Sequence, residues 1–124
     1  LKNDIDFNKS GGIIPCIFQD YKTSKVLMLG YMNKEAYEKT LETGNVYYFS
    51  RSKNRLWMKG ETSGHIQKVK EIFIDCDNDT LLIKGIQEGG AACHEGYNSC
   101  FYRKLEGNKF TVIDAKVFDP KDIY

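Results

Sequence analysis

Apolar residues fall in short runs separated by polar, glycine-bearing stretches, a pattern of strands rather than of long helices. The run 13–18 reads as a strand, and Pro15 predicts a sheet edge because it has no N–H to donate. Cys16 within it reads as a buried small hydrophobe. Residues 20–25 are polar and turn-like, and 26–29 are apolar again, which predicts a hairpin. Asn33 is suited to cap a helix over 34–41, with Glu35/Lys39 and Tyr37/Leu41 each four apart and Gly44 as its stop. Residues 46–50 are aromatic and β-branched, 51–55 form a basic turn, and 56–59 resume a strand. Longer strands are predicted over 67–77 and 80–87, and shorter ones begin at 101 and 110. One clear helix among many strands predicts a single α+β domain over 1–124, mainly antiparallel, with one or two helices. Residues before Gly12 read as a loose polar lead-in.

Composition changes this picture little. The chain has 124 residues, of which 41% are hydrophobic, enough to fill a core. A domain of this size leaves much surface exposed, and a homodimer would cover part of it. Eighteen Lys and Arg against seventeen Asp and Glu give a net charge of +1, which argues against broad binding to nucleic acid. No apolar run approaches the roughly 20 residues that span a bilayer, and residues 1–4 lack a secretory pattern. A cytoplasmic location with reduced thiols, and no membrane partner, is the expectation.

The chemistry concentrates in residues 75–100. Asp75, Asp77 and Asp79 offer hard oxygens suited to magnesium, whereas Cys76, Cys93 and Cys100 offer soft sulfurs suited to zinc. If the strand from residue 67 continues through 77, alternation points Asp75 and Asp77 to one face and Cys76 to the other. Two metal sites are then expected rather than one mixed site, with Cys76 free to meet ligands of another subunit. An EF-hand fails, because Thr80 stands where its turn needs Gly and Ile86 where it needs Glu. The same acids also suit a solvated turn. Two disulfides are the plain alternative for four cysteines, although Cys16 stands apart from the other three.

Three thiols leave the fourth position of a zinc tetrahedron for water, as in catalytic sites. His94, beside Cys93, is either a rival ligand, a surface histidine or the base that moves the water's proton. The stretch 50–65 suits a small-molecule grip. Arg51 and Lys59 suit phosphate, hydroxyls of Ser52, Thr62 and Ser63 suit its shell, and Glu61 and His65 add polar groups. Trp57 suits stacking on a heterocycle or a place in the core.

The segments LMLGYMNKEAYEKTLETGNVYYFSRSKNRLWMKGETSGH, IFIDCDNDTLL and ACHEGYNSCFYR resemble the phosphoribosyl-AMP cyclohydrolases over roughly residues 26–103. The resemblance implies an intertwined homodimer and opening of the substrate's adenine ring at N1–C6 in histidine biosynthesis. It implies zinc held by Cys76 of one subunit with Cys93 and Cys100 of the other, and magnesium near Asp75, Asp77 and Asp79. His94 is then the general base, and Arg51, Ser52, Trp57, Lys59, Glu61, Ser63 and His65 bind substrate. The chain departs from the family pattern at His65, where Asn is usual, and by a slightly longer loop before Cys93. Because it ends soon after the last motif, a monofunctional form is expected.

Two rivals come from other classes. A structural zinc module for nucleic acid or protein would need a fourth ligand and a basic face. A nucleobase deaminase would need H-x-E and P-C-x-x-C motifs, which the sequence lacks.

Overall fold

Local signals shape the first half of the chain. The computed structural model describes residues 5–122. Strands β1 (Ile14–Asp20) and β2 (Val26–Met32) form the predicted hairpin, and Asp20 Oδ1 closes its turn by accepting from the Lys22 and Thr23 N–H groups. Asn33 Oδ1 accepts from the Ala36 N–H at 2.8 Å, capping α1 (Lys34–Thr43), a contribution of about 1 kcal/mol. Gly44 ends the helix at φ 76°, a left-handed conformation costly to other residues.

The main sheet has the order β2-β1-β6-β5, with β5 (Gln67–Ile74) antiparallel to β6 (Leu81–Gln87). The β1–β6 pairing is parallel, so the sheet is mainly rather than wholly antiparallel. This places β1 inside the sheet and corrects the edge expected from Pro15. Pairing with β6 starts only at Cys16, so Pro15 precedes that ladder and its missing N–H is not called upon there. Ile14, Cys16 and Phe18 alternate into the core, where Leu81 and Ile83 of β6 meet Leu27 and Met32 of β2.

A second hairpin, β3 (Tyr47–Ser50) with β4 (Arg55–Met58), packs beside α1. Its Tyr48 is fully buried, and its hydroxyl donates to Gln67 Oε1 at 2.6 Å. Gln67 in turn donates to Gln87 Oε1, and Gln87 donates to the His65 carbonyl. This buried polar chain is satisfied at each step, as low-dielectric burial requires. Strands β7 (Arg103–Glu106) and β8 (Lys109–Val112) make a separate two-stranded sheet.

Two expectations change. Strand β5 stops at Ile74, three residues short of Asp77, so strand alternation does not orient the aspartates. The lead-in is not loose within the described residues: Phe7 is buried against the core, and the Asp6 N–H donates to the Asn78 carbonyl. Residues 1–4 of that lead-in lie outside the described residues.

Candidate active site

Asp75 begins a tight turn rather than continuing a strand. Its Oδ1 accepts from the Asp79 and Thr80 N–H groups at 3.0 and 3.2 Å, and Asn78 takes φ 65°. These bonds fold the carboxylates together: one oxygen each from Asp75, Asp77 and Asp79 lies within 4.8 Å of the others. Desolvation opposes ionisation of Asp75, but the Asp79 and Thr80 amides outweigh it and hold its carboxyl below the usual range. Asp79 moves the other way, through desolvation and then Asp77, with Lys9 opposing. The Lys9 ammonium lies 3.3 Å from Asp77 and 3.5 Å from Asp79, and also donates to the Asp77 carbonyl. The turn therefore gathers three hard oxygens around a position that already draws one cation. That donor set fits magnesium.

The thiols are arranged by longer-range contacts. Residues 91–100 fold back on themselves through Ala92 N–H to the Asn98 carbonyl and Cys93 N–H to the Tyr97 carbonyl. Buried Ser99 anchors the loop to β2 by donating to the Val26 carbonyl at 2.9 Å, and the Cys100 N–H donates to the Leu27 carbonyl at 2.7 Å. Cys93 and Cys100 are thereby near enough for each to act on the other and on Lys59. Cys100 is pushed up to about 11 by desolvation of its thiol, then by Cys93, while Lys59 opposes. Burial holds Lys59 below its ordinary value, with Cys100 and Cys93 opposing, and its ammonium donates to the Ala92 carbonyl. Cys76 lies exposed in the aspartate turn, and all four cysteines are free thiols. Two adjacent sulfurs beside a lysine fit part of a zinc shell, which normally has four ligands. Among the described residues, Cys93 and Cys100 come to that place and Cys76 stands apart in the aspartate turn.

His94 projects from the same loop into a cleft of about 390 Å³. Trp57, Lys59, Glu61 and Ser63 line it as well, so these candidates come together. Trp57 is partly buried against the core, its ring centroid 5.2 Å from that of Tyr48, and it also lines the cleft. Arg51 does not join them. It stacks 3.9 Å over Tyr31 and lines a different cleft with Asn33 and Asn54. Ser52 approaches Ser50 at 3.4 Å without lining the His94 cleft. His65 also stays outside, edge-on to Phe118 and packed beneath Gly89, where any Cβ would strike the imidazole.

The family model for phosphoribosyl-AMP cyclohydrolase matches residues 28–102. The chain belongs to this family. It is 59% identical over 121 residues to a phosphoribosyl-AMP cyclohydrolase of Desulfatibacillum aliphaticivorans, covering 98% of this chain and 97% of that protein. A protein of the same name from Desulforapulum autotrophicum is 59% identical over 122 residues, covering 98% of each. The histidine biosynthesis bifunctional protein HisIE of Thermoanaerobacter pseudethanolicus is 58% identical over 113 residues, 91% of this chain and 52% of that protein. The cyclohydrolase fold here is α+β, with one α-helix among the described residues, and no helix in them is long and apolar enough to cross a membrane.

Four cleft residues lie in the 50–65 stretch but carry no individual assignment from sequence: Ser50, Lys53, Arg55 and Met58 line it beside the expected set, and Arg55 pairs with Glu61 at 3.1 Å. Arg55 was read as part of a basic turn, yet it is the first residue of β4 and directly opposite Ser50. Alternation along β4 was the available signal for Arg55, which stands two residues before Trp57.

Proposed function

We propose that this cyclohydrolase opens the adenine ring of phosphoribosyl-AMP by hydrolysis of N1–C6, giving the formimino-carboxamide ribonucleotide of histidine biosynthesis. The observation that carries the reading is His94, set in one cleft with Trp57 and Lys59 and next in sequence to Cys93 of the thiol pair. Phosphoribosylation at N1 makes C6 electrophilic. Water adds to C6, and His94 takes its proton as general base. Collapse of the tetrahedral carbon breaks C6–N1, with the proton held by His94 available to the departing nitrogen. Trp57 stacks on the base, and Glu61 and Ser63 position polar edges of the substrate.

Cys93 and Cys100 hold zinc together with Cys76 of a second copy. When bound, zinc lowers the pKa of water so that it reacts near neutral pH. Asp75, Asp77 and Asp79 would hold magnesium, which would supply positive charge to offset that of a substrate phosphate. Support for the homodimer comes from apolar residues flanking the separated thiols: Phe73 and Ile74 near Cys76, and Phe101 beside Cys100, are all exposed. Leu105 and Phe110 leave the β7–β8 hairpin apolar and exposed as well, and an isolated hairpin is marginal in water. The reduced thiols suit a cytoplasmic enzyme.

Incubation of the full chain with phosphoribosyl-AMP, zinc and magnesium tests this by the absorbance change on ring opening. Turnover is expected, and its absence refutes the reading. Equilibrium sedimentation is expected to show a zinc-loaded dimer; a monomer with full zinc content refutes the shared site.

A further inference from the structure

The His94 cleft holds more positive charge than its one carboxylate balances. Lys53, Arg55 and Lys59 line it against Glu61. Lys59 is turned to the thiol loop, where it donates to the Ala92 carbonyl. Arg55 is engaged differently: both Glu61 oxygens meet a single nitrogen, Nη2, at 3.1 and 3.2 Å. A guanidinium carries five N–H donors in a planar fork, so this contact orients Arg55 while using one corner of it. Ser50 lies directly across the hairpin from Arg55, and its hydroxyl accepts from the Lys53 N–H at 3.2 Å. That bond fixes the turn backbone at Lys53, which lines the same cleft.

We propose that Arg55, assisted by Lys53, is the seat for a phosphate monoester dianion in this cleft, with Glu61 as the positioning residue for the guanidinium. A phosphate oxygen pair matches the fork, and charge-assisted bidentate bonds of this kind are about twice as strong as neutral ones. The Arg55–Glu61 pair is half exposed and therefore weak by itself, so an incoming dianion can share the guanidinium without first breaking a strong contact. The assignment rests on the cyclohydrolase reading only in taking the dianion to be a substrate phosphate. It moves phosphate recognition in this cleft from Arg51, stacked on Tyr31 elsewhere, to a residue two positions before Trp57.

Calorimetric titration of the full chain with AMP and with adenosine tests the seat without requiring turnover. The wild-type chain is expected to bind AMP more tightly than adenosine. Arg55→Gln is expected to weaken AMP at least about tenfold and leave adenosine unchanged, with Arg55→Lys between. Lys39→Gln, which removes the same charge from the exposed face of α1, is expected to match wild type, and circular dichroism checks that each variant folds. AMP binding no tighter than adenosine, unchanged in Arg55→Gln, or lost in Arg51→Gln instead, overturns the proposal. Parallel turnover assays separate the two readings. Arg55-dependent AMP binding without turnover supports the seat and refutes the cyclohydrolase activity; turnover with Arg55-independent AMP binding does the reverse.

Discussion

The aspartate turn and the thiol loop are both sets of potential metal ligands, but they are built in opposite ways. Asp75, Asp77 and Asp79 are brought together by hydrogen bonds spanning five residues, near the surface. Cys93 and Cys100 meet because Ser99 and Cys100 are tied to carbonyls of β2, more than seventy residues earlier. The first set is complete within a few residues of chain. The second has two thiols in place and a third, Cys76, exposed in the aspartate turn. A local turn can gather ligands by itself, whereas the sulfur pair depends on how a distant strand anchors its loop.

The sharpest way to break the comparison is at the thiols. Cys100→Ser is expected to abolish zinc retention and reduce turnover to background, while magnesium uptake at the turn is unchanged; inductively coupled plasma analysis and magnesium titration measure the two. Equal loss at both sites would mean that they are one unit. His94→Ala is expected to lower kcat by about 10²–10⁴-fold, the range for a general base, with stoichiometric zinc retained. Zinc loss in that variant would make His94 a ligand instead.

Alkaline pH separates the regions less strongly. The buried Cys16 thiol is pushed up to about 12 and Cys100 to about 11, from an ordinary 9.0. Both keep a proton in the folded chain that the unfolded chain has lost, so their stabilisation is full below pH 9.0 and declines as pH rises through 11 and 12. Lys59, shifted down from 10.5, acts in the opposite sense and offsets part of this decline. Denaturant titrations of the metal-free chain between these limits should show falling stability, and Cys16→Ala should fall less steeply. The smallest effect is expected at the turn. Lys9 sits where a cation would be drawn, so Lys9→Met should tighten magnesium or manganese binding about two- to fivefold, the scale of a surface ion pair. Unchanged affinity would make the Lys9 contact irrelevant to the ion.

Much of the fold was legible because its signals are local. Asn33 and Gly44 bracket α1 by hydrogen-bonding and left-handed backbone chemistry that belongs to those residue types. Pro15 misled, since a missing N–H matters only if a neighbour asks for it, and pairing to β6 begins one residue later. The proximity of the aspartates was expected from strand alternation and is achieved by a turn. That turn was itself suggested by the Asp-Asn-Asp composition. Arg51 suits phosphate by residue type, but sequence adjacency to Ser50 and Ser52 does not say which cleft a hairpin residue faces.

By itself, the sequence determined the α+β class, the helix and its ends, the strand at β1 with Cys16 buried in it, and the family to which the chain belongs. These rest on periodicity, capping and motifs read over a few residues at a time. Only the tertiary structure decided the parallel β1–β6 pairing, the docking of Ser99 on β2, the presence of Arg55 beside His94, and Lys9 over the aspartates. Each of these joins segments far apart in the chain, where many pairings satisfy the same local preferences. Burial of one shared core and satisfaction of its polar groups select among them.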